Sequence, residues 1–178
     1  KIHHIDEPGT AQTAYSGQRD ITTHRPNDTA PYELQNLTYG NGVKTFDCFD
    51  TDSYLNATIP TSTSNDWDYP NQTADAILDA HWGGEQNYDY FQTTHNWSSF
   101  DNSGTAVNSY VHFSLVDFGF FSNVNAFWDG ERLTFGDGNP GESSPLTCID
   151  IYAHEFAHGV TEFSADLEYQ DESGALNE

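Results

Sequence analysis

The sequence predicts an α+β fold: a β-rich N-terminal lobe, one long helix, and a helix near the C-terminus that carries the candidate active site. Three observations predict it. Gly17, Pro26, Pro31, Gly40-Asn41-Gly42 and Pro60 break residues 10 to 60 into short alternating segments, the punctuation of strands and turns. Residues 72 to 93 place Ala74, Ile77, Leu78, His81 and Trp82 at helical spacing. Near the C-terminus, Tyr152-Ala153-His154-Glu155-Phe156-Ala157-His158 embeds an H-E-x-x-H motif in a second helical run. With 178 residues, 35% of them hydrophobic and 15% aromatic, the chain is expected to bury one core rather than remain disordered.

The elements follow in order. Within the β-rich stretch 1–70, residues 34–37 and 43–49 flank the Gly40-Asn41-Gly42 turn and read as a hairpin. The polar loop 61–71 holds Asp66-Trp67-Asp68, a D-x-D pair of carboxylates and a weakly specific candidate for Ca2+. A helix over about 72–93 follows, with Gly83-Gly84 weakening its middle. Residues 107–136 return to strand character around segments 110–113, 125–128 and 132–135. The active-site helix, about 148–163, starts after Pro145 with Thr147 as N-cap and Asp150 closing a capping box. A second helix begins with Asp171 as N-cap and runs over 171–178.

On the active-site helix Ile149, Tyr152, Phe156, Val160 and Phe163 form one apolar stripe, and His154 and His158 fall on roughly the opposite side. Four residues apart, the two imidazoles point at one place and make half of a zinc site. Glu155 projects to the flank of that face, where a carboxylate reaches a water without ligating the metal. Glu178, carried inward on the second helix, is the candidate third ligand, leaving the fourth position to water. His81, His95 and His112 lack a partner at ligand spacing and read as hydrogen-bonded core or cap residues.

The stretch from His154 to Glu178 is similar to the zinc-site region of the thermolysin-like metalloproteases, in motif and in the spacing to the third ligand. The likeness extends upstream through Asn125-Ala126-Phe127-Trp128-Asp129-Gly130, Phe135-Gly136-Asp137-Gly138, Val111-His112-Phe113, Asp79-Ala80-His81 and Gly40-Asn41-Gly42-Val43. The resemblance implies a zincin-like fold and a secreted zinc endopeptidase. In it Zn2+ is held by His154, His158 and Glu178, Glu155 is the general base, and the Tyr169 hydroxyl stabilises the oxyanion. It also implies that Asn125, Ala126 and Trp128 belong to an edge strand that holds protein or peptide substrates. Asp150 matches a calcium ligand of the family, but the partner ligands lie beyond Glu178. A helical second lobe is absent from this sequence, so the chain is expected to be the N-terminal lobe, with a catalytically incomplete metal-binding or partner-binding fragment as the alternative. Residues 115–122, with Phe118, Phe120 and Phe121, make the connection before the edge strand longer than is usual in the family.

Charge limits the partners. Five basic against 28 acidic residues give a net charge of −23, which disfavours nucleic acid and anionic membranes. No stretch approaches the roughly 18 apolar residues of a transmembrane helix. Cys48 and Cys148 are the only cysteines and are either bridged or free. N-x-S/T sequons begin at Asn27, Asn36, Asn56, Asn71 and Asn96, and in a chain so rich in Asn and Thr they are expected by chance.

Overall fold

A computed structural model describes residues 5–167 together with Ser173, Gly174 and Asn177. The strands are β1 (Ile5–Thr13), β2 (Gly17–Arg25), β3 (Tyr32–Glu33), β4 (Gln35–Asn36), β5 (Val43–Thr51), β6 (Thr61–Ser62), β7 (Asp66–Trp67), β8 (Val107–Phe113), β9 (Ala126–Trp128) and β10 (Leu133–Phe135). The helices among the described residues are α1 (Gln72–His95), α2 (Leu115–Phe118) and α3 (Ile149–Ala165). This is the expected α+β architecture.

The strands form two sheets, ordered β6-β3-β2-β1-β7 and β4-β5-β8-β10-β9. In the second sheet β5, β8 and β10 run parallel, while β4 and β9 are antiparallel edges. The expected hairpin is β4–β5, registered Gln35 to Lys44 and Asn36 to Val43, with Gly42 at φ 107° in its turn. Along β8, Val107 and Val111 join α1 and α3 residues in the main core. Side chains of opposite parity leave on the other face. A left-handed His112, φ 54°, breaks that alternation, so Phe113 packs with Cys48 and Leu115 in a smaller cluster beside Tyr110 and Phe127.

Helix α1 is capped by Asn71, whose side chain accepts from the Ala74 N–H at 3.0 Å, and ends at a left-handed Asn96. The double glycine in its middle has a packing reason. A Cβ on Gly83 would lie 3.0 Å from the Tyr152 ring, and one on Gly84 would lie 2.7 Å from Val43 and 2.8 Å from the Tyr152 hydroxyl. The glycines cost helix propensity of about 1 kcal/mol each and in return let α3 approach.

Several expectations are corrected. The N-cap of α3 is Cys148, not Thr147. Thr147 is fully buried with its hydroxyl unpaired, so its side chain is turned inward and away from the helix N–H groups. Asp150 serves the first turn instead: hydrogen bonds from the Cys148 thiol, then from its own N–H and that of Ile151, hold its carboxyl below the usual range. Both cysteines are free. Cys48 is a packing residue whose thiol is pushed up to about 12, chiefly by burial. Phe163 lies half exposed at the end of the apolar stripe, against Phe100, because the lobe's core ends before the last turn of α3. Three sequon asparagines have structural work: Asn36 is buried and donates to Glu85, while Asn71 and Asn96 cap α1. Asp66 of the D-x-D pair accepts from the Thr10 hydroxyl across the β1–β7 edge.

Candidate metal centre and cleft

Two aromatic side chains set the rotation of α3. Tyr152 is fully buried, stacks on Phe135 at 5.3 Å and shares a 2.7 Å hydrogen bond with the Ser109 hydroxyl. Phe156 lies against Phe91 at 5.4 Å and Phe100 at 6.5 Å. With that face held in the core, the motif histidines emerge on the other side. His154 is exposed and His158 buried, their rings nearly perpendicular and their Nε2 atoms 3.0 Å apart.

The amide of Asn177 favours one tautomer of His158. Its Nδ2 donates to the Leu167 carbonyl at 2.8 Å, which turns its Oδ1 toward His158 Nδ1 at 3.1 Å. An amide oxygen only accepts, so Nδ1 carries the proton and the Nε2 lone pair faces His154. That is the tautomer a zinc ligand needs, with the supporting hydrogen bond on the far nitrogen. Two nitrogens 3.0 Å apart can both bond one zinc at about 2.0–2.1 Å, so the pair fits the metal. Among the described residues no group of three His, Cys, Asp or Glu side chains gathers. The predicted third ligand Glu178 and the predicted oxyanion donor Tyr169 lie outside the described residues. Of the expected second helix, Ser173, Gly174 and Asn177 are described and are helical.

Two cavities flank the histidine pair. One, of about 380 Å³, is lined by Asn125, Ala126, Leu146, Ile151, His154 and Glu155, with Asp150 at its rim. The other, of about 360 Å³, brings Trp128 together with His158, Glu162 and Asn177. The Trp128 indole donates to Glu162 at 2.7 Å and its ring packs on Phe100 at 4.7 Å. Strand β9 thus runs past both cavities. In the residues leading into it the Asn123 and Asn125 carbonyls accept from the Gly138 and Gly136 N–H groups, each at 3.0 Å, and just after it the Asp129 N–H donates to the Arg132 carbonyl at 3.2 Å. By antiparallel alternation the backbone groups of residues 124, 126 and 128 point outward along an edge that no strand among the described residues pairs.

The remaining histidines of interest are committed elsewhere. His81 bonds Thr45 Oγ1 at 3.0 Å through Nδ1 and the Thr22 carbonyl at 2.9 Å through Nε2. His112 sits 2.9 Å from both carboxylate oxygens of Asp137. Burial works against its charge, but the Asp137 hydrogen bond and charge outweigh it and raise its pKa. His95 lies in the last turn of α1 beside Tyr90. Asn177, Glu162, Leu146 and Ile151 carried no signal in the local pattern. Only the position of Asn177 next to the expected ligand Glu178 points to it.

A family description, thermolysin metallopeptidase catalytic domain, matches residues 8–162. Bacillolysin of Brevibacillus brevis is 40% identical over 148 residues, covering 83% of this chain and 26% of that protein. Bacillolysin of Bacillus amyloliquefaciens is 34% identical over 181 residues, covering 100% of this chain and 33% of that protein. The chain therefore spans about a third or less of these relatives' length. Among solved structures, the precursor of protealysin, a metalloproteinase from Serratia proteamaculans, matches with a TM-score of 0.61 at 28% identity over 79% of this chain and 41% of that one. Matched over most of its length and carrying the histidine pair on a helix beside a free sheet edge, this chain belongs to the thermolysin metallopeptidase family.

Proposed function

We propose that the protein is a secreted zinc endopeptidase and that this chain contributes its histidine pair, its general base and one wall of its substrate cleft. The observation that carries this reading is the His154–His158 pair, with Asn177 on Nδ1 of His158 and Glu155 lining the cavity beside Asn125 and Ala126. His154 and His158 hold the zinc together with Glu178. When bound, zinc polarises the scissile carbonyl and lowers the pKa of water. The outward backbone groups of Ala126 and its neighbours take an extended peptide as an added strand, with the Asn125 side chain at the cavity and Trp128 beyond it. The apolar walls Leu146 and Ile151 favour an apolar substrate side chain next to the bond to be cleaved. Glu155 accepts the proton of the attacking water and delivers it to the leaving amine, and Tyr169 donates to the oxyanion. Asp150 supplies a carboxylate to calcium only with donors from outside the described residues. No helix among those residues is long and apolar enough to cross a membrane.

Glu155→Gln in the complete enzyme tests the assignment, because the amide keeps shape and removes the base. Zinc content by metal analysis should stay stoichiometric while peptide turnover falls by about 10²–10⁴-fold. Near-wild-type turnover with zinc bound would refute the role given to Glu155.

A further inference from the structure

A cavity of about 390 Å³ that the proposed chemistry does not use gathers three carboxylates around one imidazole: Asp47, Asp50 and Asp137 with His112. The backbone builds this cluster. The β5–β8 register shifts between Asp47 and Thr51, and His112 lies opposite the shift, between the paired residues Val111 and Phe113. Phe49, Asp50 and His112 are left-handed, at φ 54°, 57° and 54°, a conformation that side chains with a Cβ seldom hold. So placed, His112 donates from Nδ1 to the Asp137 carboxylate, 2.9 Å from each oxygen. Asp137 itself sits between two glycines that leave no slack. A Cβ on Gly136 would lie 2.3 Å from the Asn123 carbonyl oxygen, and one on Gly138 would lie 2.6 Å from that of Ser144. The Gly136 N–H donates to the Asn125 carbonyl, its own carbonyl accepts from the Leu146 N–H, and the Gly138 N–H donates to the Asn123 carbonyl, each at 3.0 Å. Asn125 and Leu146 line the cavity beside His154 and Glu155. Within one residue, the His112–Asp137 contact reaches two walls of that cavity.

Among the described residues that line the acidic cavity, His112 is the only group able to carry positive charge. Helix α1 turns Asn71, Thr73 and Ala74 toward it, none of which titrates, and the neighbouring Cys48 thiol stays neutral because burial pushes it up to about 12. Protonated, the imidazole offsets part of the negative charge and makes a charge-assisted bond to Asp137. Deprotonated, it leaves a neutral bond about half as strong and three carboxylates that repel one another. Resting on the proposed peptidase activity, we infer that His112 and Asp137 are a positioning pair: their ion pair holds residues 136–138, and through them Asn125 and Leu146, in the geometry that binds peptide, and loss of the His112 proton loosens it. Burial opposes the charge of His112, but the Asp137 bond and charge, joined by the charges of Asp47 and Asp50, raise its pKa above the ordinary 6.5. The pair is therefore fully charged below 6.5, and its hold is lost as pH rises through the raised value.

The test uses the complete enzyme and one extended peptide, with kcat and KM measured separately from about pH 6 to about pH 9. In wild type KM should rise about three- to tenfold with a single midpoint. Over the same range the Gly136 and Gly138 amides should lose protection by about the same factor, in hydrogen exchange corrected for its intrinsic pH dependence. Asp50→Asn removes one of the charges that favour the imidazolium, so both midpoints should move to lower pH with the plateau kcat unchanged. His112→Gln keeps a neutral donor to Asp137 and should show the high-pH KM and the weaker protection at every pH, with zinc content unchanged. Asp50 is exposed, so its variant decides the matter even if His112→Gln does not fold. Chelator-sensitive cleavage with KM and amide protection flat in wild type, or with midpoints that Asp50→Asn leaves in place, would overturn the inference and leave the peptidase reading standing. Absence of chelator-sensitive cleavage would instead sink the peptidase reading, and the peptide-binding role of the pair with it.

Discussion

Helices α1 and α3 carry the same chemistry to opposite ends. Each sets a histidine and a carboxylate side by side: His81 and Glu85 on α1, His154 with Glu155 and His158 on α3. On α1 the histidine and the carboxylate are both bonded within the protein. His81 has both ring nitrogens bonded within the protein, and Glu85 accepts from the Thr22 N–H and the Asn36 amide. On α3, Asn177 bonds Nδ1 of His158, and the Nε2 atoms of His154 and His158 meet 3.0 Å apart. What the ring nitrogens face separates the two helices: a hydroxyl and a carbonyl around His81, a second imidazole at His158.

The largest way to break that contrast is to remove one histidine from each helix. In the complete enzyme, His158→Ala should abolish stoichiometric zinc and activity, since two remaining ligands hold the metal poorly. In chelator-treated protein the same change should move unfolding little. His81→Ala should do the reverse, leaving zinc content unchanged and costing about 2–4 kcal/mol in denaturant unfolding, because Thr45, Thr22 and Glu85 lose a buried partner. Zinc loss in the His81 variant without destabilisation would erase the distinction between the helices.

Buried carboxyls sharpen it next. Asp79 on α1 is 1% exposed, and burial raises its pKa to about 6 although the Ala14 and Tyr15 N–H groups pull the other way. A carboxyl raised in the fold binds its proton more tightly there than in the unfolded chain. Stability therefore grows as pH falls from above 6 toward the ordinary value near 3.8, and ionisation above 6 costs up to about 3 kcal/mol. His112 adds to the same trend at higher pH: its raised pKa contributes stability that is full below its unfolded value and lost as pH rises through the folded one. Asp79→Asn should flatten the stability profile between pH 4 and 7 relative to wild type. An unchanged profile would mean that the Asp79 carboxylate is stabilised as well as in water.

What was legible in the sequence was local. The period of the apolar residues marked both helices, the H-E-x-x-H spacing placed two imidazoles on one face, and the glycine turn at 40–42 registered β4 on β5. What was illegible depended on contacts between distant segments. Gly83-Gly84 looked like a flaw in α1 until Tyr152 filled the space. Thr147 had the chemistry of an N-cap but was drawn into the core, and the cap moved to Cys148. The two cavities along β9 required β10 to occupy one edge of that strand and leave the other open.

The smallest effect concerns the hydrogen bond between Asn177 and His158. Asn177 reaches both His158 and the Leu167 carbonyl, so it couples the ligand to the chain that leaves α3. Asn177→Ala removes no ligand and no charge, yet it takes away the acceptor that favours the proton on Nδ1 of His158. In the complete enzyme zinc affinity should drop by about 10–100-fold, measured by competition with a chelator, with peptide cleavage restored by excess metal. Asn177→Asp gives the discriminating comparison, because a carboxylate still accepts from Nδ1 and should keep the ligand tautomer, while losing the donor to Leu167. If Asn177→Ala binds zinc as tightly as wild type, the tautomer of His158 is set by something other than this amide, and the contrast drawn between the two helices would lose its physical cause.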